Sequence, residues 1–189
     1  MKRVFSILVL SIISASTFGQ NSLKIEGKAF MEDGTVMYRT NFSIIRFNPL
    51  TFSEVDYSLG AYVNNDVTEY FILMSLNDKI AVAENNCLKL KIADDTVLNL
   101  PVKKAYNWEN DAEETRLLNE TYQMLRIPYI VTEEQLQCIA ENGITKVRIE
   151  GFPNNIEFKT DAKKTMQSTI KFKERLEEMI SQSTDLDDF

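Results

Sequence analysis

The stretch Leu88-Lys89-Leu90-Lys91-Ile92-Ala93-Asp94-Asp95-Thr96-Val97-Leu98-Asn99-Leu100-Pro101-Val102 decides the fold. Leu88, Leu90 and Ile92 alternate with Lys89 and Lys91, Asp94-Asp95-Thr96 turns the chain, and residues 97–102 return. Apolar side chains at every second position set one face of a hairpin on a core and the other in water, as in a half-buried antiparallel sheet.

On the C-terminal side of this hairpin, Tyr122, Met124 and Ile127 lead through Pro128 to Val131, and the proline restricts that strand to an edge or a bulge. Thr132-Glu133-Glu134-Gln135 is a capping box opening a helix, with Val131 and Leu136 placed to form its hydrophobic staple. Leu136, Ile139 and Ala140 share one face and Asn142-Gly143 ends the helix. Residues 144–150 and 155–159 form a second hairpin around Gly151-Phe152-Pro153-Asn154. Asp161 caps a final helix that runs to about Gln182, with Ala162, Met166, Thr169, Ile170, Phe172, Leu176, Met179 and Ile180 on its apolar half.

On the N-terminal side, residues 22–31 and 36–47 read as strands joined through Asp33-Gly34. Phe42, Ile44, Ile45 and Phe47 predict that 42–47 is central and covered on both faces. Residues 48–67 hold Pro49, Gly60 and Asn64-Asn65 and follow neither period, so they read as a long connection whose aromatics Phe52, Tyr57 and Tyr62 either pin it to the sheet, the favoured role, or line a ligand groove. Residues 69–76 and 79–83 are two further expected strands, and 103–120 is a polar, acidic stretch.

The chain has 189 residues, 44% of them hydrophobic, with 21 Lys+Arg against 28 Asp+Glu for a formal charge of −7. It contains no histidine and two cysteines. That composition removes Ser-His-Asp and Cys-His nucleophile systems, His-containing zinc sites and four-thiolate metal sites. The acidic balance also disfavours nucleic acid and anionic membrane, which call for clustered Lys and Arg.

Lys2 and Arg3 precede an apolar run over 4–13, followed by the small and polar residues Ser14, Ala15, Ser16, Thr17 and Gly19. These are the three parts of a secretory signal, which predicts a leader over 1–19, cleavage after Gly19, a single domain over 20–182 and an acidic tail over 183–189. The apolar run is too short to anchor the mature chain across a bilayer, so no transmembrane segment is expected there. Export would place Cys87 and Cys138 where a disulfide can persist, and their pairing stays open, since it requires the strand of one to touch the helix of the other.

The ribbon over 88–100, the segment Tyr129-Ile130-Val131-Thr132-Glu133-Glu134-Gln135-Leu136, and the strand Gly143-Ile144-Thr145-Lys146-Val147-Arg148-Ile149-Glu150 together resemble a recurrent group of exported bacterial proteins of the Bacteroidetes type. The likeness covers about the last hundred residues and concerns fold-making positions. It implies a strand-rich core, a closing amphipathic helix and a Gram-negative envelope address, periplasmic or secreted, and it carries no active site.

The expected fold is therefore α+β: a mostly antiparallel sheet or partly closed β-barrel of seven to nine strands, with a short inserted helix and a C-terminal amphipathic helix. A pleckstrin-like barrel is its specific alternative. The leading functional expectation is a non-catalytic binding or interaction module for a protein or glycan of the envelope, without a metal or cofactor. Tyr106 and Trp108, the single tryptophan, are its candidate ligand-binding residues, although a buried role pinning the acidic stretch competes for both. Glu109, Asp111, Glu113 and Glu114 lack the alternating ligands and turn glycine of a calcium loop and read as solvated. Asp94-Asp95 points apart at a turn, unlike the facing carboxylates of a glycosidase. Arg148 falls on the wet side of its strand, and an anion site there needs a second positive group that the spacing alone does not identify. A carboxylate-dependent hydrolase and an accessory subunit of an envelope assembly are the rival readings; the first predicts converging carboxylates, the second a large exposed apolar patch.

Overall fold

The computed structural model describes residues 24–30, 34–48, 53–64, 67–76, 80–103, 114–117, 120–123 and 125–184. The expected leader and its cleavage point lie outside the described residues. Described in chain order are β1 (Ile25–Phe30), β2 (Val36–Thr40), β3 (Ser43–Asn48), β4 (Ser53–Asn64), β5 (Val67–Leu76), β6 (Cys87–Ile92), β7 (Val97–Pro101), β8 (Glu114–Leu117), β9 (Glu120–Gln123), β10 (Leu125–Val131), α1 (Glu133–Asn142), β11 (Ile144–Ile149), β12 (Ile156–Lys159) and α2 (Ala162–Thr184).

The fold is α+β, and every strand pairing is antiparallel. A larger sheet has the order β1-β2-β4-β5-β10, with β3 also beside β4; a smaller one has the order β12-β11-β6-β7; β8 pairs with β9. One apolar core joins the two sheets, drawing Leu59, Ile72 and Tyr129 from the larger and Leu88, Leu90 and Val147 from the smaller. Leu136 and Ile139 of α1, and Phe172 and Leu176 of α2, complete it. Burying each such side chain contributes roughly 1.5–3 kcal/mol. A backbone bridge between Val102 and Tyr129, with the Lys103 N–H donating to the Pro128 carbonyl at 3.0 Å, links β7 to β10. Among the described residues no barrel closes, and the pleckstrin-like alternative is not realised there.

The 88–102 hairpin forms as its alternation requires, with Leu88, Leu90 and Ile92 buried. The capping box of α1 is complete: Thr132 Oγ1 accepts the Gln135 N–H at 3.2 Å and Gln135 Oε1 accepts the Thr132 N–H at 3.0 Å. Gly143 has φ +74°, and a Cβ there would lie 2.0 Å from the Ala162 carbonyl oxygen. Glycine alone therefore lets α2 start against the end of α1. The buried stripe of α2 is Thr165, Thr169, Phe172 and Leu176. Thr165, unmarked by hydropathy, accepts the Ile144 N–H at 2.8 Å and ties the helix to β11, while Ile170 is exposed instead of facing the core. Among the described residues, no helix is long and apolar enough to cross a membrane.

Four expectations are corrected. Residues 53–64, read as a connection, form β4, which is paired along its length with β5. Both faces of its middle are buried, so Asp56 and Ser58 stand where periodicity expects apolar residues. Tyr57 and Tyr62 are accordingly buried strand residues rather than pins of a loop. Residues 42–47 are not central: β2 and β3 share one edge of β4, pairing with its two ends on either side of a break at Asn41-Phe42. The expected strand over 79–83 reduces, among the described residues, to a bridge between Ala81 and Phe152. The strand count rises from the expected seven to nine to twelve described, because β4 and β8 lie in stretches read as connections and the expected strands over 36–47 and from Tyr122 to Val131 are each divided in two.

The outer face of the larger sheet buries Tyr62, Phe71 and Leu73. Phe71 lies over Gly60, where a Cβ would come within 2.1 Å of its ring. The Arg39 and Arg126 guanidinium carbons lie 5.0 and 5.2 Å from the Phe42 ring centroid. Asp56, Ser58 and Ser75 are buried on this same face.

Candidate anion-binding face

The alternation that turns Leu88, Leu90 and Ile92 inward turns Lys89 and Lys91 outward. On β11 the same rule buries Val147 and Ile149 and leaves Lys146 and Arg148 outside. Register then makes these four residues neighbours, with Lys91 opposite Lys146 and Lys89 opposite Arg148. The flanking strands extend both rows. Lys146 pairs with Lys159 and Arg148 with Glu157 on β12, while Lys91 pairs with Val97 and Lys89 with Asn99 on β7. The wet face of the smaller sheet thus has one row Val97, Lys91, Lys146, Lys159 and another Asn99, Lys89, Arg148, Glu157. Five of the eight side chains are cationic in a chain whose net charge is −7.

Like charges directly opposite each other across strands about 4.8 Å apart are unfavourable. Carboxylates at the rim reduce that cost: Glu150 pairs with Lys89 at 2.6 Å, Asp95 with Lys91 at 2.7 Å, and Glu157 with both Lys146 at 2.5 Å and Arg148. The same cations act on the acids. Hydrogen bonding to Lys146, then to Arg148, holds the Glu157 carboxyl below the usual carboxylate range. Lys89 does the same for Glu150 and Lys91 for Asp95. Glu150 Oε2 also accepts the Cys87 N–H at 3.0 Å, and Thr145 donates its hydroxyl to the Lys91 carbonyl at 3.0 Å, which fixes the register at the β11 bulge. Three carboxylates answer five cations, and among the described residues none pairs with Lys159. Lys89, Lys91, Val97, Lys146 and Arg148 line an open depression of about 200 Å³. Val97 is 53% exposed at its margin. Exposed amines and a guanidinium on a rigid sheet can hold carboxylates, phosphates or sulfates.

Other chemistries have less to work with. Asp94 Oδ1 accepts the Thr96 N–H at 2.9 Å and Asp95 turns to Lys91, so the hairpin itself accounts for both. The cavity bounded by Tyr57, Met74, Leu90 and Thr165 is lined mainly by core residues, has no carboxylate in its lining and is no larger than about one water molecule. Among the described residues no group of three or more metal-ligating side chains converges. The carboxylate pair missed in the sequence is Glu54 and Asp56, side by side on β4. Burial, then the Glu54 charge, pushes the Asp56 carboxyl up to about 6. Among the described residues, Asp56 Oδ1 and the Ser58 and Ser75 hydroxyls have no hydrogen-bond partner.

Tyr106 and Trp108 lie outside the described residues, as do Glu109, Asp111 and Glu113. Cys87 and Cys138 are free, half-buried thiols. Cys87 begins β6 and Cys138 lies within α1. Among the described residues the exposed large apolar side chains Val67, Val97, Phe152 and Ile170 belong to four separate segments. The signal for the basic face was present in the alternation of Lys89 with Lys91 and of Lys146 with Arg148; the missing information was the register that brings the pairs together. No family model matches the chain, and no curated protein or solved structure is significantly similar to it.

Proposed function

We propose that the protein is a non-catalytic, exported binding module of the bacterial envelope that takes an acidic ligand on the wet face of its smaller sheet. The observation carrying this reading is the run of cations on adjacent strands: Lys91 beside Lys146 beside Lys159, and Lys89 beside Arg148. A sheet that places like charges in register where any polar residue would serve departs from local stability rules, and such departures are characteristic of binding surfaces. The leader-like N-terminus and the resemblance to exported Bacteroidetes-type proteins support the envelope address.

The test is retention on a dextran sulfate matrix at neutral pH and low salt. The acidic wild-type protein binds and elutes as salt rises, and the K91E/K146E variant runs through; co-elution of both in the flow-through contradicts the proposal. Carboxylate hydrolysis is the second reading, supported by the raised Asp56 carboxyl beside Glu54. A loss of a hydrolytic activity in D56N with retention on the matrix intact would favour it.

A further inference from the structure

We infer that the acidic ligand is the surface of an anionic phospholipid bilayer, with the wet face of the smaller sheet laid on the headgroups and Phe152 passing between them; this rests on the binding reading above. The placement of Phe152 carries it. Its side chain is 76% exposed, more than any other large apolar residue described. Register shows which way it points. Glu150 continues β11 by donating its N–H to the Cys87 carbonyl at 3.2 Å, and its carboxylate turns to Lys89 on the wet face. Gly151 faces the other way, against Ile80, whose side chain a Cβ would approach within 2.4 Å. Phe152 then exchanges both backbone hydrogen bonds with Ala81 at 2.9 Å. Ile80 and Val82 pack on the core and Ala81 between them is exposed, so Ala81 and its partner Phe152 both point away from the core. Arg148, Glu150 and Phe152 therefore follow one another along the wet side of one extended segment.

The arrangement of charge and apolar surface separates the occupants. Val97, 53% exposed, stands beside Lys91 at one end of the cation field, and Phe152 stands past Arg148 at the other. A protein interface has the reverse plan, apolar residues at its centre and charge at its rim. A soluble polyanion answers the cations and leaves the phenyl ring in water. A bilayer uses both. Its phosphates lie in one plane and rearrange laterally, so no spacing between cations has to match, and the hydrocarbon just beneath them accepts an aromatic side chain. The net charge of −7 disfavours an anionic surface for the chain as a whole, but register gathers five cations on this one face. Glu157, the acid set among them, competes with phosphate for Lys146 and Arg148.

Co-sedimentation of the full chain with vesicles tests this, using equal parts of phosphatidylglycerol and phosphatidylethanolamine against phosphatidylcholine alone, with retention on dextran sulfate as the reference. At low salt the partition coefficient is about ten-fold or more higher on the anionic vesicles, and K91E/K146E brings it to the neutral-lipid level. F152S lowers partition into anionic vesicles about five-fold and leaves retention on dextran sulfate unchanged, whereas F152W keeps both. E157Q raises the partition about three-fold. All variants share one N-terminus, so these differences report on the sheet. Anionic vesicles bound no better than neutral ones while dextran sulfate retains the protein, or F152S partitioning as strongly as the wild type, overturns the bilayer assignment in favour of a soluble polyanion and leaves the face itself standing. If neither vesicles nor dextran sulfate separates K91E/K146E from the wild type, the function proposed above falls with it.

Discussion

The outward faces of the two sheets place charge on β-strands under opposite conditions. On the smaller sheet, cations stand in the open, answered by rim carboxylates whose affinity for protons they depress. On the larger sheet, Asp56, Ser58 and Ser75 are buried beside Tyr62 and Phe71, and the acid's proton affinity is raised. Water screens the first arrangement, so repulsion between register partners costs little and the charges remain accessible to a ligand. Burial makes the second costly when ionised. Acid should therefore act on the two faces with opposite signs.

The largest contrast lies within β6 itself. Leu90→Ala removes a fully buried side chain and is expected to cost about 3 kcal/mol in urea unfolding, whereas Lys91→Ala, its outward neighbour, should stay within about 0.5 kcal/mol. Equal losses would mean that the lysine face is part of the framework instead of a surface free to bind.

A smaller effect separates the faces by pH. The Asp56 carboxyl sits at about 6 in the fold against 3.8 as its ordinary value. A raised folded value means the native state holds the proton more tightly, so the associated stability is complete below pH 4 and is lost as pH rises through 6. After allowance for solvent, Asp56→Asn should stabilise the protein by about 1–2 kcal/mol at pH 8 and by almost nothing at pH 3.5. Thermal unfolding across that range is the measurement; a stabilisation independent of pH would refute the buried-acid account.

The smallest expected change belongs to Glu157. Its carboxyl is held low by Lys146 and Arg148, so its contribution is present above the ordinary carboxylate range and fades as pH falls through the depressed value. E157Q should leave the neutral-pH melting temperature nearly unchanged and remove a slight acid sensitivity. A large loss of stability at neutral pH would show that Glu157 holds the sheet together instead of merely answering the surface cations Lys146 and Arg148.

The smaller sheet was largely legible before any coordinates, because one wet face and one dry face print a clean alternation on β6, β7 and β11. The capping box at Thr132 and the Asp161 start of α2 were readable for a related reason: each is a local hydrogen-bond motif. Strand β4 was not, since burial on both sides erases alternation and polar residues on its second face imitate a loop. Gly60 strengthened that misreading, although the glycine is there to admit the Phe71 ring. The candidate site was half legible. Lys89, Lys91 and Arg148 were each placed toward water, but pairing between strands more than fifty residues apart is a long-range property that no local pattern records.

The most direct test of the central claim is an amide and indole chemical-shift titration of the protein with a short dextran sulfate. The account predicts that shifts concentrate at Lys89, Lys91, Lys146, Arg148, Glu157 and Lys159, with the single indole resonance of Trp108 unmoved. Movement of the Trp108 indole with a silent lysine face would contradict it and return the site to the acidic stretch around Tyr106 and Trp108.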